Sequence, residues 1–296
     1  MHIPMLRGWL LLILFLSCAA TRAQETSVVP VIVDGQTVRL QMRIYKPART
    51  GPVPTLVFNH GSTGRGRDPI LFRRAIDFPA LAQFFVQRGW AVVMPARRGR
   101  AGSEGRYNEG LAVDGADGYS CDAVLSIPGA DRALRDIEAA MDAILAMPFV
   151  DRDRVIIGGH SRGGILSVAY AGQHPEQIKG VINFVGGWLG TGCPTADTIN
   201  QALFQRGARY PGDTLWLYGD DDPFYSLSHS RKNFAAFQAA GGKGTFHTFP
   251  EPSGHRIVSY PNAWASLVEA YLKRQGLPIA SSFPASRPEN RRGAGP

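Results

Sequence analysis

The sequence predicts an α/β fold in which helices cover both faces of a mainly parallel, eight-stranded sheet. Short apolar runs alternate with segments of helical spacing along most of the 296 residues. Most of these runs are apolar throughout rather than alternating with polar residues, which indicates strands that are buried on both faces. Together with a hairpin at the start, this pattern fits one domain over residues 24–278.

The first half of the chain supplies four strands and one helix in this prediction. VVPVIV and VRLQMRIYKP flank DGQT, whose Asp-Gly pair is typical of a tight β-hairpin turn. TLVFNHG and WAVVMPA are short apolar runs of the kind found in buried strands. Between them, DFPALAQFFVQRG has helical spacing and ends at Gly89.

The second half begins with a long amphipathic helix and continues with strands and helices in alternation. GADRALRDIEAAMDAILAMP places five apolar residues on one helical face: Leu134, Ile137, Met141, Ile144 and Leu145. The elements predicted after it are strand Val155–Gly158, a helix from Arg162, strands GVINFVGG and TLWLYGD, helix HSRKNFAAFQAAG, strand GTFHTFP and helix NAWASLVEAYLKRQG. Segments 62–76, 95–128 and 186–205 are expected as loops, and a partial lid is one interpretation of 95–128.

Both ends of the chain are expected to lie outside the folded domain. Residues 1–23 have the pattern of a signal peptide, with the apolar run Trp9–Leu16 and a small-residue cleavage site after Ala23. The run is too short for a stable membrane span. Acylation of Cys18 is the weaker alternative, and either way we expect export, to the periplasm or out of the cell. Residues 279–296 are rich in Pro, Ser and Arg and predict a disordered tail.

Export changes how the other two cysteines are interpreted. Cys121 and Cys193 are an even pair in an oxidising compartment, so a disulfide between them is the favoured interpretation. Two separate buried thiols are the alternative, because sequence does not give their distance. Neither cysteine lies in a motif that would activate a catalytic thiol.

The net charge of +8 does not by itself indicate a nucleic-acid-binding protein. The sequence contains no lysine-rich run and no interleaving of aromatic and basic residues. Five arginines nevertheless crowd two loops that should meet at one end of the sheet: Arg65, Arg67, Arg97, Arg98 and Arg100. They would suit an acidic or carboxylate-bearing substrate. Solvated arginines and ion pairs that brace the loops are the favoured alternative.

The pentapeptide Gly159-His160-Ser161-Arg162-Gly163 lies between a predicted strand and a predicted helix. This is the setting of the G-x-S-x-G nucleophile elbow, in which small residues allow a strained turn that projects the serine hydroxyl. A purely structural turn is the alternative. A phosphate-binding loop is excluded, because Gly164 and Ile165 stand where lysine and Ser/Thr are required.

A nucleophilic serine needs a base and a third group that orients the base. His255 is the best candidate for the base, because it follows the last predicted strand in a Ser-Gly-His turn before the final helix. The loop after TLWLYG carries three adjacent aspartates. Asp222, directly before Pro223, is preferred over Asp220 and Asp221 as the orienting acid.

Two backbone N–H groups are expected to bind the oxyanion that forms during acyl transfer. The N–H of Arg162 follows the nucleophile, and the N–H of Ser62 in NHGST is the simplest second donor. His60 is expected to fix this loop. The sequence contains no zinc motif and no dinucleotide motif, so we expect neither a metal nor an organic cofactor.

Four motifs and the order of the candidate triad resemble the α/β-hydrolase superfamily. The motifs are NHGS, RRGRAGSEG, GGHSRGG and YGDDDPFY, and the triad residues follow in the order Ser161, Asp222, His255. The closer likeness is to its dienelactone-hydrolase-like branch, which borders on the prolyl-oligopeptidase-type serine peptidases. The resemblance implies an eight-stranded α/β-hydrolase sheet, a serine triad and no cofactor. Dienelactone hydrolases use a cysteine where this chain has Ser161, so their particular reaction is not implied.

These observations predict an exported serine hydrolase that cleaves small-molecule carboxylic esters through an acyl-enzyme on Ser161. A peptidase acting on small peptides is one alternative. A binding protein that kept the fold without the chemistry is another, although it would have no need of all three triad residues.

Overall fold

The computed structural model describes residues 23–63, 69–112, 118–250 and 254–280. In this part of the chain eight strands form one sheet in the order β1-β2-β4-β3-β5-β6-β7-β8. The strands are β1 Ala23–Val33, β2 Gln36–Lys46, β3 Val53–Asn59, β4 Ala91–Pro95, β5 Val150–His160, β6 Val181–Phe184, β7 Asp213–Gly219 and β8 Lys243–Phe249. The α-helices are α1 Pro69–Arg73, α2 Pro79–Gln87, α3 Ala123–Leu145, α4 Arg162–Gln173, α5 Ala196–Arg206, α6 Leu227–Ala239 and α7 Pro261–Arg274.

The sheet is parallel from β4 to β8 and antiparallel at its start. The β1–β2 turn contains Asp34 and Gly35, both with positive φ, of 52° and 75°. Two successive left-handed residues are what the tightest hairpin turns require, and Asp-Gly is a favoured pair for them. The predicted α/β fold, its hairpin and its mainly parallel sheet are confirmed.

Strands at the centre of the sheet are buried on both faces, as their apolar composition predicts. Every residue of β3, β4 and β6 is buried. On one side of the sheet the Trp216 ring packs against Phe204 of α5 and Phe237 of α6. On the other side Trp264 of α7 contacts Phe84. These two aromatic clusters attach both helical layers to the sheet.

Helix α5 corrects the prediction of a loop over 186–205. Its buried residues are Ala196, Ile199, Asn200, Leu203 and Phe204. They follow the three-four spacing of a half-buried helix, but polar residues between them dilute the apolar signal. The helix covers β7 and carries side chains that support one wall of the site.

Helix α3 begins earlier than its apolar pattern indicates. The Asp122 side chain accepts a hydrogen bond from the N–H of Val124 and caps the helix ahead of the apparent break at Pro128. At Gly129 a Cβ would lie 2.2 Å from the backbone nitrogen of Gly110. The helix therefore packs directly on the loop that carries Glu109, at the carboxyl end of the sheet.

No helix in the described ranges is both long and apolar enough to cross a membrane. The described residues likewise contain no cluster of His, Cys, Asp or Glu that could hold a metal ion. All of the predicted signal peptide except Ala23 lies outside the described residues, Cys18 included, and so does all of the predicted tail except residues 279 and 280.

Candidate active site

Ser161 lies between β5 and α4 in a left-handed backbone conformation, with φ 58° and ψ −124°. A non-glycine residue in such a strained conformation is held there by its surroundings. Glycines on either side make this turn possible. A Cβ on Gly159 would lie 2.3 Å from the backbone of Gly163, and one on Gly163 would lie 2.0 Å from the Asn59 carbonyl oxygen. The structure therefore gives a steric reason for both glycines of the predicted elbow.

His255 and Asp222 form a hydrogen-bonded pair beside Ser161. The Nδ1 of His255 lies 2.8 Å from Oδ2 of Asp222, whose side chain is completely buried. The other carboxylate oxygen, Oδ1, accepts hydrogen bonds from the N–H groups of Phe224 and Tyr225. Because the carboxylate accepts, Nδ1 carries the proton and Nε2 has a lone pair to offer as a base.

Asp220, Asp221 and His160 lie near the Asp222–His255 pair but make different contacts. Asp221 is exposed and has a positive φ of 56°. Asp220 bonds through its backbone N–H to the carbonyl of Phe249. His160 packs its ring 4.6 Å from that of His255, and its Nε2 donates to the His255 carbonyl at 2.7 Å. Burial lowers the pKa of His160 to about 3, so it holds the His255 segment as a neutral donor.

The loop that carries Ser62 is fixed by hydrogen bonds to the Gly61 carbonyl. That oxygen accepts from Nδ1 of His60 at 2.7 Å, from Arg100 at 3.2 Å and from Arg97 at 3.4 Å. In a trans peptide the N–H points away from the C=O, so the Ser62 N–H is directed away from the arginines. A Cβ on Gly61 would lie 3.0 Å from that of Ser161. This peptide and the Arg162 N–H at the start of α4 therefore flank the nucleophile, as an oxyanion hole requires.

Two of the three described arginines of the predicted cluster brace loops. Arg97 pairs with Glu109 at 2.5 Å, and both side chains are buried. Arg98 pairs at 2.5 Å with Asp136, which is also buried, and at 3.0 Å with Asp34. Arg65 and Arg67 lie outside the described residues. For Arg97 and Arg98 the structure thus favours loop bracing over substrate binding.

The sulfur atoms of Cys121 and Cys193 form a disulfide, with the Cα atoms 5.4 Å apart. It joins the segment before α3 to the segment before α5. The hydroxyl of Thr195 also donates to the Cys121 carbonyl, so the two segments are tied twice. Cys193 and Ser161 line the same cavity, and the disulfide therefore fixes part of the wall of the site.

Tyr119, two residues before Cys121, contacts residues at both predicted oxyanion donors: Thr63, which follows Ser62, and the side chain of Arg162. Its hydroxyl accepts from the N–H of Thr63 at 3.1 Å, next to Ser62. Its ring lies 3.5 Å from the guanidinium carbon of Arg162, which also stacks on Trp188 at 3.9 Å. A buried cation between two aromatic rings is held firmly. Tyr119 is not recognisable from the sequence, because the local signal is one aromatic residue in a glycine-rich loop.

Replacing Tyr119 with phenylalanine is expected to lower kcat about tenfold with little change in KM. The variant keeps the ring on Arg162 but removes the hydroxyl that accepts from Thr63, and a bond of this kind is worth about 1 kcal/mol. Steady-state kinetics on a p-nitrophenyl ester measure the split between kcat and KM. Tyr260→Phe, at a tyrosine that is 40% exposed, is the matched control. An unchanged kcat in Tyr119→Phe would show that this hydroxyl does not position the oxyanion loop.

Ser161 and His255 line two cavities, and each cavity can hold one part of a substrate. The larger, of about 590 Å³, has aromatic walls formed by Tyr119, Trp188, Phe224 and Tyr225. The smaller, of about 300 Å³, is bordered by Ile76, Phe78, Asp77 and Arg100. A substrate with its reacting carbonyl at Ser161 would therefore place its acyl and leaving groups in separate spaces.

A nucleophile elbow, a buried Asp–His pair and two flanking backbone donors on this sheet define a serine hydrolase of the α/β-hydrolase class. Within that class the chain belongs to the X-Pro dipeptidyl-peptidase (S15) family, whose sequence model matches residues 34–208. That match includes Ser161 and ends before Asp222 and His255.

Comparisons with individual proteins agree with this class. The chain is 31% identical to acylamino-acid-releasing enzyme of Mus musculus over 109 residues, which are 34% of this chain and 14% of that enzyme. The chain thus spans only a small part of that curated relative. Est1E from Butyrivibrio proteoclasticus, solved with ferulic acid, has a TM-score of 0.56 at 16% identity and covers 83% of this chain and 98% of its own. A cold-adapted esterase from an Arctic intertidal metagenomic library has a TM-score of 0.57 at 18% identity, covering 85% and 94%. At these identities the solved structures establish the fold, and the predicted α/β-hydrolase resemblance is confirmed.

Proposed function

We propose that this protein hydrolyses carboxylic esters of small molecules through an acyl-enzyme on Ser161. The observation that carries the proposal is the Asp222–His255 pair beside a strained Ser161 that opens onto two cavities. The cavities are of the size that small-molecule ligands occupy. Solved esterases share the fold, which is consistent with this reaction.

The reaction begins with attack of the Ser161 Oγ on the ester carbonyl carbon, while Nε2 of His255 takes the hydroxyl proton. The carbonyl oxygen becomes an oxyanion, which the N–H groups of Ser62 and Arg162 stabilise. Loss of one such donor costs about 3 kcal/mol of transition-state stabilisation. The tetrahedral intermediate collapses with departure of the alcohol, which receives the proton from His255. Water, activated by His255, then releases the acid and restores Ser161 by the same steps.

A peptidase acting on short peptides is the second candidate. The family match to X-Pro dipeptidyl-peptidases and the likeness to acylamino-acid-releasing enzyme favour it. An amide differs from an ester in its poorer leaving group, which must be protonated as the C–N bond breaks. His255 could supply that proton, so the triad itself is compatible with both reactions.

Assays with ester and amide substrates distinguish these two candidate functions. The purified protein is incubated with a fluorophosphonate probe and then assayed with short p-nitrophenyl esters and with aminoacyl and X-Pro p-nitroanilides. We expect labelling and turnover of the esters with at most slow turnover of the anilides. Turnover of anilides without esters would favour the peptidase. Absence of labelling and of any turnover would favour a binding protein on the same fold.

Export is part of the same proposal, supported by the leader-like composition of residues 1–23 and by the Cys121–Cys193 disulfide. We expect the mature protein to begin at Gln24 after export and removal of the signal peptide. N-terminal sequencing of protein recovered from the periplasm or medium measures this. A mature chain that begins with a lipid-modified Cys18 would support the lipoprotein alternative, and retention of Met1 in the cytoplasm would contradict export.

A further inference from the structure

Arg100 differs from its neighbours Arg97 and Arg98 in having no carboxylate partner in the part of the chain that the structure describes. It is only 5% exposed. One nitrogen, Nη1, donates to the Gly61 carbonyl at 3.2 Å and lies 3.4 Å from Nδ1 of His60. Its Nε is buried and makes no hydrogen bond to any of the described residues. A buried guanidinium without an ion pair is costly, and burial lowers the pKa of Arg100.

The position of Arg100 next to Ser161 indicates that a group of the ligand is its binding partner. It lines the cavity of about 300 Å³ that Ser161 and His255 also line. A ligand entering this cavity to react with Ser161 therefore comes close to a guanidinium that still has donors to offer. Guanidinium groups bind carboxylates through paired N–H donors, and the interaction is strong where water is excluded.

The other groups of the cavity are compatible with an anion. Its wall includes the apolar side chains of Ile76 and Phe78. The one carboxylate among the described residues of its wall, Asp77, is already engaged: Oδ1 accepts from the Tyr45 hydroxyl at 2.6 Å and Oδ2 pairs with Arg43 at 2.9 Å. Among the described residues, the cavity thus combines an apolar wall, a carboxylate that is already paired and a guanidinium that forms no ion pair.

Building on the proposed ester hydrolysis, we infer that Arg100 is a specificity residue and that the preferred substrates are esters carrying a carboxylate near the scissile bond. The carboxylate binds in the smaller cavity and completes the ion pair of Arg100. The rest of the substrate extends into the larger, aromatic cavity. An uncharged ester of the same shape leaves the guanidinium unpaired and is bound less well.

Matched pairs of substrates test this inference. For an acyl-side carboxylate, the 4-nitrophenyl monoester of glutaric acid is compared with the 4-nitrophenyl ester of methyl glutarate. For a leaving-group carboxylate, the butanoate ester of 4-hydroxybenzoic acid is compared with that of methyl 4-hydroxybenzoate. The wild-type protein is expected to prefer the anionic member of one pair at least tenfold in kcat/KM. Arg100→Gln is expected to lose most of this ratio, while Arg154→Gln, at an exposed arginine, keeps it.

The ratio of the two substrates is the decisive quantity, because Arg100 also holds the Gly61 carbonyl. If Arg100 only braced the oxyanion loop, Arg100→Gln would lower kcat/KM equally for anionic and neutral esters, and the inference would be overturned. Ester hydrolysis without any preference in the wild type would also overturn it, and would leave the proposed function intact. Absence of fluorophosphonate labelling and of ester turnover would instead overturn the proposed function itself.

Inhibition of the wild-type protein gives a measurement that does not depend on the folding of a variant. Glutarate, or 4-hydroxybenzoate if the second pair shows the preference, is expected to inhibit competitively at a concentration at least tenfold lower than the corresponding amide. Equal inhibition by the acid and the amide would contradict an anion site at Arg100.

Discussion

Replacing Ser161 with alanine is expected to abolish fluorophosphonate labelling and to lower kcat by about a millionfold, the scale seen when a serine nucleophile is removed from a triad. His255 and Asp222 would keep their hydrogen bond but have no hydroxyl to deprotonate. What activity persists would come from the oxyanion donors and from water. Alanine has the same Cβ as serine, so the strained turn at φ 58° is no harder to form.

The matched control for this variant is Ser228→Ala, at an exposed serine near the start of α6. Fluorophosphonate is expected to label this variant, and the variant is expected to hydrolyse esters with the wild-type kcat. Thermal unfolding of both variants would verify that Ser161→Ala is folded. A folded Ser161→Ala protein that kept more than about a thousandth of the wild-type kcat would contradict its role as the nucleophile.

The strand pattern was predictable because burial on both faces demands apolar residues at every position. β3 and β4 are cases in which no polar alternation competes with that signal. Helix α5 was not predictable in the same way, because it is half exposed and its apolar residues are separated by polar ones. The early start of α3 depends on a cap at Asp122 that precedes a proline, and local propensity alone favours a break there.

Some residues of the candidate site were likewise predictable from the sequence and others were not. Ser161, Asp222 and His255 each follow a strand, and the carboxyl ends of parallel strands meet at one edge, so their juxtaposition follows from topology. Tyr119 and Arg100 lie in the long loop between β4 and α3. Their contacts with Thr63, Arg162 and Gly61 are tertiary and have no periodic signature in the sequence.

Five crowded arginines also show why composition alone could not assign a role. Arg97 and Arg98 have acidic partners 12 and 38 residues away in sequence, and Arg100 has none in the described segments. The difference lies in where Glu109 and Asp136 are brought by the loop and by α3. Folding thus gives Arg97 and Arg98 acidic partners, whereas Arg100 lies beside the smaller cavity without an ion pair to any described residue.

Asp222→Asn is expected to lower kcat about ten-thousandfold while leaving the fold intact. The reason lies in the hydrogen bonds of the carboxylate. Oδ1 accepts from the N–H groups of Phe224 and Tyr225 at 2.8 and 3.1 Å, so an asparagine at this position would place its carbonyl oxygen there. Its NH2 group would then face Nδ1 of His255.

Nδ1 would have to accept a hydrogen bond from this NH2 group, and the imidazole proton would move to Nε2. In that tautomer Nε2 has no lone pair with which to accept the proton of Ser161, although every heavy atom is in place. Asp221→Asn, at the exposed neighbour, is the matched control and is expected to retain wild-type activity. A comparable loss in both variants would indicate that the loop rather than the tautomer of His255 was disturbed. A loss confined to Asp222→Asn, with an unchanged melting temperature, would identify Asp222 as the residue that sets the tautomer of His255.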